Sequence, residues 1–241
     1  MTGFIKSAAA LAASLTLSAA AFAQEPEMTI IPAGQERPGD HVKGDEDAPV
    51  LMVEYASVVC PHCASFHNDV YSVLGPEYVE TGQVRWVMRE MVTQPAQLAF
   101  VGFMLAECAP DDRYFDALDL LFFEQRNLFE DAQSEGGALA RYNQIAGAVG
   151  MSEEDLGACL GNQAVFDSIQ ARHEQAIADG VRSTPSFFIA GEPLAIVDGE
   201  NGGAATYHWG GEALIIDGEP VEAVRDAATF RRILDHFIAE A

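Results

Sequence analysis

The pattern that most constrains the fold is a strand–helix–strand unit separated from its continuation by a long helical stretch. Val50-Leu51-Met52-Val53-Glu54-Tyr55 is a near-continuous apolar run of strand length, the pattern of a strand covered on both faces. A helix opens at Cys60, with Cys63, Phe66, Val70 and Leu74 spaced three and four apart on its inner face, and Gly75-Pro76 is expected to stop it. Val84-Arg85-Trp86-Val87-Met88-Arg89 reads as a second strand, and a right-handed parallel crossover is the usual way to join such a pair. From Pro95 to Gly180 the pattern is helical throughout. Phe115, Leu118, Leu121 and Phe122 form one apolar stripe, and Tyr142, Ile145 and Val149 form another. Ser152-Glu153-Glu154-Asp155 is a capping-box start, Gly161-Asn162 a stop, and Ala164 to Asp179 a further helix closed by Gly180. Strand patterning returns at Ser186-Phe187-Phe188-Ile189, and a last helix from Ala227 to Ile238 puts Phe230, Ile233, Leu234 and Phe237 on one face. The expected fold class is α/β, with one sheet domain built from 48–94 and 181–241 and an all-helical domain, 95–180, inserted between its halves.

The chain ahead of this unit carries an address. In residues 1–23 a single charge, Lys6, precedes an Ala/Leu-rich stretch from Ala8 to Phe22, and Ala21-Phe22-Ala23 fits an A-x-A cleavage site. This is the pattern of a signal peptide cleaved after Ala23, and its apolar stretch falls short of the ~20 residues that span a bilayer. Residues 24–47 read as a tail with one edge strand around Met28-Thr29-Ile30-Ile31. The expected product is an exported, periplasmic protein. With 13 Lys and Arg against 37 Asp and Glu the net charge is −24, which repels phosphate backbones and anionic lipid and argues against nucleic-acid binding.

Ile196-Val197-Asp198-Gly199-Glu200 and Ile216-Asp217-Gly218-Glu219-Pro220 read as two apolar runs, each ending in an Asp-Gly hairpin turn. The Gly-rich segment between them, Asn201 to Gly211, is expected as a loop carrying Tyr207, His208 and Trp209, either presented to a partner or packed on the sheet edge.

The chemistry lies in Cys60-Pro61-His62-Cys63. A helix start offers free backbone N–H groups and a partial positive charge, which favour a thiolate at Cys60; Cys63, one turn inside, receives less of that field. The spacing therefore assigns exchange with substrate to Cys60 and resolution of the mixed disulfide to Cys63. Pro61 suits the first helical position, and His62 places a donor or a positive charge beside the sulfur. A haem-attachment site would need His at position 64, which is Ala, and a zinc site would need a second close ligand pair, with His67 read on a polar helix face; no metal is expected. Cys108 and Cys159 lie in the helical block, where an oxidising compartment lets them staple two helices or leaves them as two buried thiols.

Over roughly Asp45 to Phe237 the chain resembles the DsbA family of exported thioredoxin-fold thiol:disulfide oxidoreductases. Cys60-Pro61-His62-Cys63 is similar to that family's active-site tetrapeptide, and Thr184-Pro185, ahead of Ser186-Phe187-Phe188-Ile189, is similar to its cis-proline loop, which touches substrate. The resemblance implies a thioredoxin fold with an inserted helical domain. It also implies a buried acid, Glu54, assisting proton transfer, with Arg85 of the next strand where the family often has Lys, in a catalytic or a structural pair. The expected function is that of a periplasmic oxidase donating its Cys60–Cys63 disulfide to unfolded, cysteine-containing exported clients. A membrane quinone-linked partner would reoxidise it, and the expected cofactor is none beyond the redox disulfide itself. Residues 24–49 are too short for a dimerisation domain, so a monomer is expected. Thr184 is more familiar in isomerases and reductases, which makes a reductase or isomerase of the same fold the alternative; a secreted binding module with purely structural cysteines is the alternative from another class.

Overall fold

The computed structural model describes residues 31–110 and 112–241, so the expected signal peptide and the residues Met28 to Ile30 lie outside the described residues. The elements run β1 (His41–Lys43), β2 (Val50–Ala56), α1 (Pro61–Phe66), α2 (Ser72–Leu74), β3 (Val84–Glu90), α3 (Ala96–Glu107), α4 (Tyr114–Phe123), α5 (Gln125–Ala132), α6 (Leu139–Ala148), α7 (Glu153–Leu160) and α8 (Gln163–Ala178). There follow β4 (Ser186–Ile189), β5 (Glu192–Val197), β6 (Thr206–Trp209), β7 (Glu212–Ala213), β8 (Ile215–Ile216), β9 (Glu219–Pro220) and α9 (Ala227–Glu240). Seven strands form one sheet in the order β1-β3-β2-β4-β5-β6-β7, with β2 and β3 parallel and every other pair antiparallel.

The pleat sorts the two apolar faces of the central strands. Met52 and Trp86 point toward α1 and α9, where Phe66 packs against Trp86, Phe187 and Phe230 with ring centroids 5.9, 4.7 and 5.0 Å away. Val53, Tyr55 and Val87 point to the other face, against Ala176 of α8 and Val181. A side chain of this size stabilises by ~1.5–3 kcal/mol when fully buried, so the α1 face is anchored chiefly by its aromatic cluster. Helices α3 to α8 form the insertion, with Phe103, Leu118, Leu121, Tyr142, Ile145 and Ile169 in a core of their own that reaches Val58 and Cys63 beside the sheet. The fold is a thioredoxin-type α/β domain with an inserted helical domain. Among the described residues no helix is long and apolar enough to cross a membrane.

Several local expectations change. Gly75-Pro76 does not end the first helix: π-helical turns at His67–Tyr71 and Gly75–Val79 carry the helical path on to Val79, because Pro76 falls in the first turn of its segment, where a missing N–H costs nothing. The edge strand of the N-terminal segment is His41–Lys43, paired antiparallel with β3, and Ile31 lies outside any strand. Asp217-Gly218 is a tight turn between β8 and β9, with φ of 55° and 81° as such turns need. Asp198-Gly199 is not: β5 and β6 pair up to Val197 and Thr206, and the connection between them holds a 3-10 turn at Glu200–Gly202. Tyr207, His208 and Trp209 belong to strand β6 rather than to a loop; Tyr207 is buried, and the Trp209 indole N–H donates to the Ile189 carbonyl at 2.8 Å.

Candidate active site

Topology brings two distant segments to one edge of the sheet. The loop after β2 leads into α1, and β4, running antiparallel to β2 with Tyr55 opposite Ser186, must begin at the edge where β2 ends. The Thr184–Pro185 peptide is cis and immediately precedes β4, so it faces the start of α1. Gln94–Pro95, at the entry to α3, is cis as well.

Cys60 is the N-cap of α1 and Pro61 its first residue. The amides of Cys63 and Ala64 both donate to the Cys60 carbonyl at 3.1 Å, closing the first turn and leaving the sulfur at the helix mouth. Cys60 and Cys63 are thiols here, and the Cys60 Sγ–H donates to the Thr184 carbonyl at 3.3 Å. The Cys60 thiol is lowered from its ordinary range to about 5. The largest cause is the hydrogen bond from the Cys63 thiol; the Thr184 side chain and the backbone N–H groups of Cys63 and His62 add to it, against a burial cost. Cys63 is fully buried, which pushes its thiol far upward, and the charges at Cys60 and Glu54 push it further. The amide of Ser57 faces its sulfur at 3.5 Å. Pro61 and His62 are exposed; His62 acts on the Cys60 sulfur through its backbone N–H.

Glu54 is fully buried on the α1 side of the sheet, but its partner is not Arg85. The parallel register sets Glu54 beside Met88 and Arg85 beside Leu51, so the two side chains leave opposite faces of the sheet. Arg85 reaches outward to the Glu36 carboxylate and the Gly44 carbonyl. Glu54 instead faces His67, whose Nε2 lies 3.2 and 3.1 Å from its two oxygens. His67 is accordingly buried, not on a polar face, with its ring stacked on Phe122 at 4.1 Å.

The inserted domain supports the same loop. Gln125, buried at the start of α5, donates through Nε2 to the carbonyls of Val58 at 2.8 Å and Cys60 at 3.1 Å. Gly102 of α3 approaches so closely that a Cβ there would sit 2.8 Å from the Val58 side chain. Neither Gln125 nor His67 is identified from the sequence; His67, four residues after Cys63, carries a signal in its spacing, while Gln125 carries none. Within the insertion, Cys108 at the end of α3 and Cys159 in α7 are joined by a disulfide, their Cα atoms 6.1 Å apart.

A dithiol at a helix start, one sulfur acidic and accessible and the other buried, opposite a cis-proline loop, defines a thioredoxin-fold dithiol protein with a helical insertion. The chain belongs to the thioredoxin family: the family model described as thioredoxin, Thioredoxin_4, matches residues 36–200. Its curated relatives include proteins of Rickettsia typhi and Rickettsia conorii named as protein-disulfide oxidoreductases, 28% and 29% identical over 153 residues, or 63% of this chain. The match covers 55% and 53% of those proteins, so the chain spans about half the length of the curated relatives it matches. Among solved structures, Wolbachia pipientis alpha-DsbA1 is similar with a TM-score of 0.65 at 21% identity, over 85% of this chain and 94% of that one. Oxidised BdbD from Bacillus subtilis has a TM-score of 0.61 at 16% identity, over 83% and 94%. The resemblance to DsbA seen in the sequence therefore holds at the level of the fold.

Proposed function

We propose that the protein is a periplasmic thiol:disulfide oxidase that donates the Cys60–Cys63 disulfide to cysteine-containing client proteins. The observation that carries this reading is the asymmetry of the two sulfurs: Cys60 is partly exposed and acidic, whereas Cys63 is buried and held as a thiol. A client thiolate attacks Cys60 Sγ, the Cys60–Cys63 bond breaks, and Cys63 leaves with the electron pair and takes up a proton. The client's second thiolate then attacks the client sulfur of the mixed disulfide, and Cys60 leaves as a thiolate. A low pKa makes Cys60 a good leaving group, which favours release of an oxidised client. Cys60 and Cys63 are the catalytic residues in this reading; Pro61, His62 and Glu54 support them, Thr184 and Pro185 border the client, and Cys108–Cys159 is structural.

Sulfur alone carries the electrons, so the proposed chemistry uses no cofactor, and a membrane quinone-linked partner restores the disulfide. The Rickettsia relatives' names agree with this class of activity. The proposed form is a monomer. The test is to mix oxidised protein with a reduced, unfolded two-cysteine client. One client disulfide should form per protein, and Cys60→Ala and Cys63→Ala, neither of which can hold the disulfide, should each abolish the reaction. Offered a disulfide-bonded client instead, the Cys60 thiolate of Cys63→Ala should attack it, release one client thiolate and stay trapped on the other client sulfur. Thr184 before the cis-proline favours a second reading, a reductase or isomerase, in which the reduced protein would open or reshuffle client disulfides faster than the oxidised protein makes them. A binding module would do neither.

A further inference from the structure

Opening or closing the Cys60–Cys63 bond requires a proton to reach or leave Cys63, whose sulfur is shut off from solvent. Glu54 lies close enough for its charge to act on Cys63, but Glu54 is fully buried too. Beside Glu54 stands the imidazole of His67. Its two nitrogens face in different directions: Nε2 meets both Glu54 oxygens, while Nδ1 is buried without a hydrogen-bond partner among the described residues and lies 4.0 Å from Asp119 Oδ1. The Asp119 side chain, on α4, is half-exposed and, with His67, lines an open cleft of about 1240 Å³ between the α1 region and the insertion. Lys43 of β1 approaches the same carboxylate at 4.0 Å.

We infer that His67 is a proton relay, passing the Cys63 proton between Glu54 on the buried side and Asp119 at the cleft. Pairing with Glu54 accounts for one nitrogen of this buried imidazole; the relay accounts for the other, which is unpaired and 4.0 Å from a second carboxylate beside solvent. The groups facing the ring are Glu54 from β2, Asp119 from α4 with Asp116 behind it, Lys43 from β1, and Tyr71 from its own helical stretch. Burial raises Asp119, and Lys43 and His67 pull it back. Burial holds Tyr71 in its neutral form. The inference rests on the proposed exchange at Cys60–Cys63 and adds to it a residue acting through Glu54, a positioning residue rather than a catalytic one.

The relay is read in the closing direction. Reduced protein and oxidised glutathione first form a Cys60–glutathione mixed disulfide, releasing one glutathione thiolate. Cys63 then loses its proton to Glu54, Glu54 passes it to His67 Nε2, and Nδ1 releases a proton toward Asp119 and the cleft. The Cys63 sulfur attacks Cys60 Sγ, the Cys60–Cys63 bond forms, and the second glutathione leaves as a thiolate. Acid quenching and mass spectrometry separate the two steps. Between pH 5 and 9, His67→Gln should slow the second step by about tenfold or more at pH 7, below the roughly hundredfold of a directly acting general base because Glu54 stays in place, while the first step changes less than about twofold. In that variant the second step should rise about tenfold per pH unit, because the proton that Glu54 takes from Cys63 must then reach solvent without the imidazole. Asp119→Asn, on a half-exposed side chain, should slow the second step about threefold and carries the test if His67→Gln fails to fold. A second step with wild-type rate and pH profile in the folded variants overturns the relay alone. Wild-type protein that never closes the pair overturns the proposed function along with it.

Discussion

Cys60 and Thr184, 124 residues apart in the chain, meet at 3.3 Å, sulfur to carbonyl oxygen. This contact joins the helix start that carries the acidic sulfur to the cis-proline loop that borders it, and it exists because β4 runs antiparallel to β2 and begins where β2 ends.

Cys60 should react with a small alkylating agent along a titration with its midpoint near 5, while Cys63 stays unlabelled in the folded protein. Peptide mapping after brief alkylation across pH 3 to 9 checks this. A midpoint in the ordinary thiol range, or label at Cys63, would reverse the assigned roles.

The reduced form should be more stable than the oxidised form at neutral pH, and the difference should shrink as the solution is acidified. The Cys60 pKa is depressed on folding, from 9.0 to about 5. A depressed group contributes stability that is complete above its unfolded value and is lost as pH falls through its folded one. Disulfide formation removes the thiolate and that contribution. Thermal melts of both redox forms, with Cys108–Cys159 intact in each, should therefore diverge between pH 5 and 9 and converge below 5. A constant gap across that range would exclude the Cys60 thiolate as its cause.

Replacing Cys108 and Cys159 together with Ala should lower stability by at most ~4 kcal/mol, the loop-closure figure for cysteines 51 residues apart, and leave oxidation by Cys60 largely intact. Denaturant unfolding beside the client assay separates the two effects. Loss of oxidation in a variant that remains folded would give this disulfide a redox role.

Gln125→Ala removes the only side chain donating to both the Val58 and Cys60 carbonyls among the described residues. Two carbonyls at the active-site loop would then depend on water, at a cost of ~1–3 kcal/mol. Amide exchange at the first turn of α1 should quicken well beyond that in the distant α9. Unchanged exchange would mean that the insertion does not brace the loop.

Much of this site is legible from local pattern. Cys60-Pro61-His62-Cys63 follows an apolar strand and opens a helix with a buried face, so the position of each sulfur follows from spacing alone. Glu54 stands out because a carboxylate within an apolar strand demands a partner. The partner does not follow, since pairing Glu54 with Arg85 requires knowing which residues of two parallel strands lie side by side, and the register Glu54–Met88 sends Arg85 to the other face. His67 is hidden by its polarity: it sits one turn after Cys63 on the buried side, where a polar residue is readily taken for a surface one. Gln125 acts across 65 residues of chain on a backbone carbonyl, a contact with no local signature. In the β5–β6 connection, Asp198-Gly199 looks like a tight turn but strand pairing stops at Val197, so hydrogen-bond register outweighs turn chemistry there.

The central claim, that Cys60–Cys63 is an oxidising pair, is tested most directly by equilibrating the protein in glutathione buffers of known ratio and measuring the fraction of the pair that is reduced. An acidic Cys60 and a buried Cys63 predict a pair that holds electrons tightly, with a potential less negative than the roughly −180 mV of protein disulfide isomerase. A potential near the roughly −270 mV of thioredoxin would contradict the account, because such a pair would reduce client disulfides rather than make them.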